Sequence, residues 1–364
     1  MKHAHHSRML LVFYETTTAC ELNCIHCRAN ASLEPAKNEL STTEAKNLIL
    51  EISNIEGVFP MLIFTGGNPM LRPDLFELMK YARENRVAFS LSPAVTDRLD
   101  DTALEEIRRE GVSSISISLD GSNSKIHNGI RRYDSFDRTV ELVRKAMSMG
   151  INVQVNTTVM KQNVMDLPEI LSLLVDLKVP VWEVFFLVKT GRGTTAEEIT
   201  ALEFESVNLW LAGISPSTIN VRTVEGPSIN RLRIQRLREV NNFDLELFRF
   251  LDGNTDRSMV GTGFDVQTPR QRIETLFISS TGEVYPSGFL PVRIGNVREK
   301  TLYSMYNSSS VLEKLREMWD HVEGKCGYCS YRTLCGGSRA RAFATTGNYL
   351  SSDPLCPYVA EIAH

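Results

Sequence analysis

The stretch "LLVFYETTTACELNCIHC", residues 10–27, joins an eight-residue apolar run to three cysteines at the spacing C-x3-C-x2-C. Cys20, Cys24 and Cys27 stand together in a chain of 364 residues that holds only seven cysteines. The run 10–17 is short enough for a β-strand, so the thiols fall in the loop that leaves its carboxyl end. Three thiols at one loop make an incomplete ligand set for a closed metal site.

The pattern repeats downstream. Apolar runs at 61–65, 87–92, 113–120, 151–159 and 181–188 alternate with helical stretches near 42–56, 73–85, 100–110, 135–149 and 166–177. "STTEAKNLILEI" carries a capping signal, and "RPDLFELMKYA" has Pro and Asp in its first turn. Strands that alternate with helices pair in parallel through right-handed crossovers, as an open doubly wound sheet or as a full or partial barrel. In all of these, ligands gather at the carboxyl ends of the strands. There the chain places its cysteines, "TGGNP" (65–69), "SPAV" (92–95), "SLDG" (118–121), "VNTT" (155–158) and "KTGRG" (189–193).

From about 214 to 275 the periodicity weakens, with a helix-like "SINRLRIQRLREV" and a Gly/Asp/Asn-rich stretch over 252–265. "IETLFISSTGEVYPSG" then predicts a hairpin around Thr281 and Gly282, followed by a helix near 308–319 and four cysteines in loop-like sequence.

Composition narrows the function. A net charge of −4 gives no global attraction to nucleic acid, so neither nucleic acid nor an anionic membrane is expected as a partner. No long apolar run or secretory signal is present, and a cytoplasmic protein is expected. In that compartment thiols stay reduced, and clustered cysteines mean metal or catalysis before disulfides. His3, His5 and His6 belong to a short N-terminal tail, expected to be mobile, and receive no role.

Iron–sulfur clusters are held by thiolates on short spacings, and a cubane takes four ligands. Zinc is the rival at the first group, although structural zinc wants four tetrahedral ligands. Burial of the cysteines as small hydrophobes suits poorly a polar segment that follows a strand. The second group, Cys326, Cys329, Cys335 and Cys356, offers four thiols, which suit zinc as well as a cluster.

The strand, the C-x3-C-x2-C loop and "GGNP" after the second strand resemble the radical S-adenosylmethionine (SAM) superfamily over residues 10 to about 212. The resemblance implies an α/β fold: a partial (β/α)6 TIM-type barrel followed by a small α+β SPASM or twitch-like iron–sulfur domain. The corresponding divisions are a tail over 1–9, the core over 10–213, a bridge over 214–275 and the auxiliary domain over 276–364.

It further implies that Cys20, Cys24 and Cys27 hold a 4Fe-4S cluster whose open iron is chelated by the amino and carboxylate groups of SAM. Cys326, Cys329, Cys335 and Cys356 would hold a second, auxiliary 4Fe-4S cluster. Full SPASM domains carry further cysteines, but here Ser287 and Arg339 occupy positions where another cluster would be ligated, so two clusters are expected.

SAM contacts are implied for Gly66, Gly67, Asn68 and Pro69, with Asn68 replacing the commoner glutamate, and for Ser92, Ser118, Asp120, Arg131, Asn156 and Gly191. Ser90 and Arg132 are secondary candidates. A flavodoxin- or ferredoxin-type electron donor is implied as partner.

The segments "CIHCRA", "VNTTV", "FFLVKTGRG" and "CGGSRARAFATTGNYL" look most like enzymes of haem d1 and alternative haem biosynthesis. A tetrapyrrole propionate is therefore the expected site of hydrogen abstraction, and Arg231, Arg233, Arg236, Arg238, Arg339 and Arg341 are candidate carboxylate partners. The alternatives are a peptide-modifying maturase and, from another class, a non-catalytic iron–sulfur electron carrier. The short run ahead of the first strand leaves no room for the leader-binding domain that peptide maturases often carry, which favours a small molecule.

Overall fold

The computed structural model describes residues 8–193, 198–235, 242–261 and 274–358. The N-terminal histidines, Arg236, Arg238 and part of the Gly/Asp/Asn-rich stretch lie outside the described residues.

Strands β1 (Arg8–Glu15), β2 (Val58–Thr65), β3 (Ala88–Leu91), β4 (Ile115–Ser118), β5 (Val153–Val159), β6 (Val181–Phe186) and β7 (Asn220–Val224) follow one another in parallel, in chain order. A doubly wound sheet would reverse its strand order at a switch point. This sheet never does, and it curls into a partial barrel. β7 comes from the weakly periodic stretch, where a five-residue edge strand leaves little pattern to read.

β8 (Glu274–Ile278) pairs in parallel with the other edge of β1, so Leu10 stands beside Glu274 and Tyr14 beside Ile278. β9 (Glu283–Tyr285) and β10 (Gly295–Asn296) extend that edge antiparallel, giving the order β10-β9-β8-β1-β2-β3-β4-β5-β6-β7. The expected hairpin turns at Thr281 and Gly282, with Ser279 N–H donating to the Glu283 carbonyl at 2.9 Å.

The crossovers carry α1 (Thr42–Ser53), α2 (Leu75–Glu84), α3 (Asp101–Arg109), α4 (Ser124–Arg131), α5 (Phe136–Ser148) and α6 (Leu167–Asp176). Ser41 and Glu44 close a capping box at α1, and the Asp100 carboxylate caps Ala103 N–H at α3. α7 (Ala201–Gly213) begins on a second capping box, Thr200 with Glu203, and is buried along most of its length. It packs on β6 through an edge-to-face contact of Trp182 and Trp210, centroids 6.1 Å apart.

Burial alternates with period two along the strands. Leu10, Val12 and Tyr14 of β1 are fully buried under the helices, whereas Met9, Leu11 and Phe13 face the lumen. Each fully buried large apolar side chain contributes about 1.5–3 kcal/mol, so this outer layer holds the barrel while the inner face is left free.

After β7 come α8 (Ser228–Leu232) and α9 (Leu245–Gly253). Past the hairpin, the helix expected near 308–319 is broken into α10 (Leu302–Ser308), α11 (Ser310–Arg316) and α12 (Met318–His321). Cys326 sits on a short helix, α13 (Gly324–Tyr328), rather than in a loop, while Cys329, Cys335 and Cys356 lie outside regular elements. α14 (Arg339–Thr346) follows the third of these cysteines.

Candidate active site

The first three cysteines occupy the loop from β1 to α1. Cys20 and Cys24 are buried against Leu22 and Ala31, with Cys27 and Ala94 packed on them. Two distant segments shape this loop by close backbone contact. A Cβ on Gly67 would lie 2.2 Å from the Ala19 carbonyl oxygen, and one on Gly191 would lie 2.2 Å from that of Cys27. Gly191 also has φ +55°, so both its conformation and its surroundings exclude a larger residue.

Arg192 completes the clamp. Its N–H donates to the Cys27 carbonyl at 2.9 Å, and its guanidinium donates to the carbonyls of Cys24 at 2.9 Å and Ala31 at 2.6 Å. Glu39 holds the loop's entry by accepting from Thr18 N–H at 2.8 Å. Arg28 reaches outward to Glu15 at 2.9 Å and lies over the Phe277 ring at 4.3 Å, which ties the loop to β8. Arg192 and Arg28 escaped the sequence reading, since their partners are remote in the chain; the only local signal for Arg192 was its place in "KTGRG".

Asp120, at the end of β4, is fully buried. It pairs with Arg131 at 2.8 Å and accepts from Thr158 N–H at 2.7 Å, and His26 Nε2 stands 3.8 Å away. Opposed to the cost of burial, the Arg131 guanidinium holds the Asp120 carboxyl below its usual range. Arg131 Nη1 in turn donates to Cys24 Sγ at 3.6 Å. His127 Nδ1 accepts from Asp120 N–H at 3.2 Å, and burial lowers its pKa to about 4, so the ring is neutral.

The open ends of the strands surround a cavity of ≈ 1530 Å³. It is lined by Cys20, Cys24 and Cys27 and by the predicted residues Gly66, Gly67, Ser92, Ser118, Arg131 and Asn156; Ser90 lines it too. Asn68, Pro69, Asp120, Arg132 and Gly191 are not part of its wall. Asn68 is fully buried: its oxygen accepts from Met70 and Ala94 N–H at 3.2 and 3.3 Å, and its nitrogen donates to Glu21 at 2.9 Å. The amide expected at the SAM amino group thus joins three loops. Arg132 ends α4 in the left-handed conformation.

The four C-terminal cysteines line one small pocket together with Arg231, Tyr331 and Tyr358. Arg339 stands at its edge, donating to the carbonyls of Tyr349 at 2.9 Å and Ser351 at 2.7 Å. Arg341 is buried on Asp353, at 2.8 Å, and Arg231 is buried in a pair with Glu205. Arg231 and Arg341, named above as candidate partners of a substrate carboxylate, are thus each paired with a carboxylate of the chain itself. Cys335 lines this pocket and the large cavity alike, so the wall between the two spaces includes a cysteine of the second set.

Both sets suit thiolate-bound iron. Burial pushes the thiols up, Cys20 to about 11, Cys335 to about 12 and Cys356 to about 11, so a bound cation is needed to draw off their protons. Beside the first set, Arg192 Nη2 is buried without a hydrogen-bond partner among the described residues, a surplus donor of the sort an anionic cluster accepts. Among the described residues no helix is long and apolar enough to cross a membrane.

Residues 14–174 match the Radical SAM superfamily, and residues 270–330 match the iron–sulfur cluster-binding domain called SPASM. The second match contains Cys326 and Cys329 and ends before Cys335. The chain is 35% identical over 354 residues to an AdoMet-dependent heme synthase of Methanosarcina barkeri, covering 96% of both chains. To the AdoMet-dependent heme synthase of Oleidesulfovibrio alaskensis it is 35% identical over 361 residues, covering 96% of this chain and 87% of the relative. Its fold is that of anSMEcpe, solved with bound AdoMet and a peptide: the TM-score is 0.65 at 15% identity, over 96% of this chain and 94% of that one. With full-length relatives at this identity and the three-cysteine loop standing over the barrel mouth, the chain belongs to the radical SAM superfamily, as an enzyme with a C-terminal SPASM-type iron–sulfur domain.

Proposed function

We propose that this enzyme uses SAM to remove a hydrogen atom beside a propionate carboxylate of a tetrapyrrole in haem-type biosynthesis, so that the side chain becomes a vinyl group with release of carbon dioxide and of one electron to a one-electron acceptor. The observation that carries the reading is the cavity. At ≈ 1530 Å³ it exceeds the ~300–1,000 Å³ of ordinary ligand pockets, enough to seat SAM beside a second large molecule. The names of the relatives support the same substrate class.

Cys20, Cys24 and Cys27 hold the SAM-binding 4Fe-4S cluster in this reading, and Cys326, Cys329, Cys335 and Cys356 hold a second one. When bound, the first cluster and SAM supply reductive cleavage of the sulfonium and a 5′-deoxyadenosyl radical. The chain's own groups bind and shield. Gly66, Gly67, Ser92, Ser118 and Asn156 present the polar wall for SAM, Arg131 keeps a cation beside Cys24, and the walls exclude water from the radical. Asn68, Pro69, Asp120 and Gly191 serve the same site from behind that wall, by fixing its loops. A flavodoxin- or ferredoxin-type protein supplies the electron.

The test is anaerobic incubation of the reconstituted enzyme with SAM, dithionite and iron-bearing or iron-free coproporphyrin, followed by mass spectrometry. Loss of carbon dioxide from the porphyrin with formation of 5′-deoxyadenosine is expected. Formation of 5′-deoxyadenosine with every tetrapyrrole left unchanged would sink the substrate assignment and favour a peptide.

A further inference from the structure

The lumen is not uniform around its circumference. Along β8, β1 and β2 it is mainly apolar, with Phe277, Leu11, Phe13, Met61 and Ile63, and the polar residues Glu274, Thr275 and Thr65 sit at the strand ends. Along β4 to β7 it is polar, and the strand register orders the polar groups. Ser118 pairs with Asn156, Asn156 with Glu183, and Glu183 with Arg222, so a hydroxyl, an amide, a carboxyl and a guanidinium form one row across four neighbouring strands.

Gln154 fastens the middle of this row, donating at 2.8 Å to both Asn156 Oδ1 and Glu183 Oε2. Its end is different. Most other cavity-lining arginines are held: Arg28 by Glu15, Arg131 by Asp120, and Arg339 by two carbonyls. Arg222 is exposed to the lumen and makes no hydrogen bond or close ion pair with any described residue.

Glu183 is its neighbour on β6, and burial raises the Glu183 carboxyl against the pull of Arg222. Arg233 brings a second guanidinium to the same corner, 3.4 Å from the carbonyl of Val221, the residue before Arg222.

We infer that Arg222, with Arg233 beside it, receives a carboxylate of the substrate, while the β8-β1-β2 wall takes its apolar body. The inference rests on the tetrapyrrole reading and deepens it by naming the group that fixes the substrate's orientation. A guanidinium on an edge strand, aimed into a cavity of mixed polarity, binds a carboxylate in two-pronged fashion.

The test is a titration of the holoenzyme with iron coproporphyrin, followed by the porphyrin absorbance, together with KM and kcat for its turnover. Arg222→Gln is expected to weaken binding and raise KM roughly ten- to a hundredfold, the effect of losing a charged hydrogen bond. Its iron content and its 5′-deoxyadenosine formation without substrate should match the parent, and Arg222→Lys should recover part of the affinity. Binding by Arg222→Gln equal to the parent's overturns the inference and leaves the substrate reading standing. A parent enzyme that binds no tetrapyrrole overturns both.

Discussion

Buried ion pairs brace the site, among them Asp120 with Arg131 behind the first cysteine loop and Arg341 with Asp353 beside the second set. Breaking such a pair leaves one charge without compensation, at a cost of about 3–5 kcal/mol. Arg341→Met should therefore lower the thermal unfolding midpoint steeply, and the double change with Asp353→Leu should be milder than the single one. A single variant as stable as the parent would remove the pair from the account. His127 adds a pH dependence. Its pKa of about 4 in the fold lies below the ordinary 6.5, so the unfolded chain binds the proton first and stability falls as pH drops below 6.5 toward 4. Between pH 7.5 and 5.5 the parent should lose about 1.4 kcal/mol that His127→Asn does not lose. Equal pH slopes for the two proteins would contradict this. At this scale the ligand cysteines were legible because their spacing is local. Arg192, Arg28 and Arg222 were not, because a carbonyl or a strand partner far along the chain gives each its role.

The loops that leave the strands do the work of the elements, and backbone contact aligns them. Gly191 lies against Cys27 and Gly67 against Ala19, so each added methyl must push the cysteine loop aside. Gly191→Ala should lower the iron content from about eight to about four atoms per chain and abolish SAM cleavage, with the C-terminal set still loaded. Full iron and full cleavage in that variant would show that the contact does not shape the loop. The six strands read from the sequence are among those observed, because their apolar runs alternate with amphipathic helices. The edge strands were harder. β7 is five residues long, and the parallel pairing of β8 with β1 depends on sheet curvature that no local pattern records. The helix expected near 308–319 is likewise broken, with Ser309 capping α11 where one continuous helix was read.

At the scale of the whole molecule, the first cysteine set and Cys335 of the second line one cavity, and the two sets differ in number. In the proposed reading, three thiols leave a ligand position open at the first cluster and four close the second. Spacing alone made this contrast readable, although the sequence could not say that Cys335 borders both spaces. The most direct test compares Cys24→Ala with Cys329→Ala in the reconstituted enzyme, measuring iron, 5′-deoxyadenosine and product from coproporphyrin. Each variant should lose up to about four irons per chain. Cys24→Ala should form no 5′-deoxyadenosine, whereas Cys329→Ala should still form it and lose turnover of the substrate. SAM cleavage by Cys24→Ala, or full iron in Cys329→Ala, would contradict the assignment of the two sets.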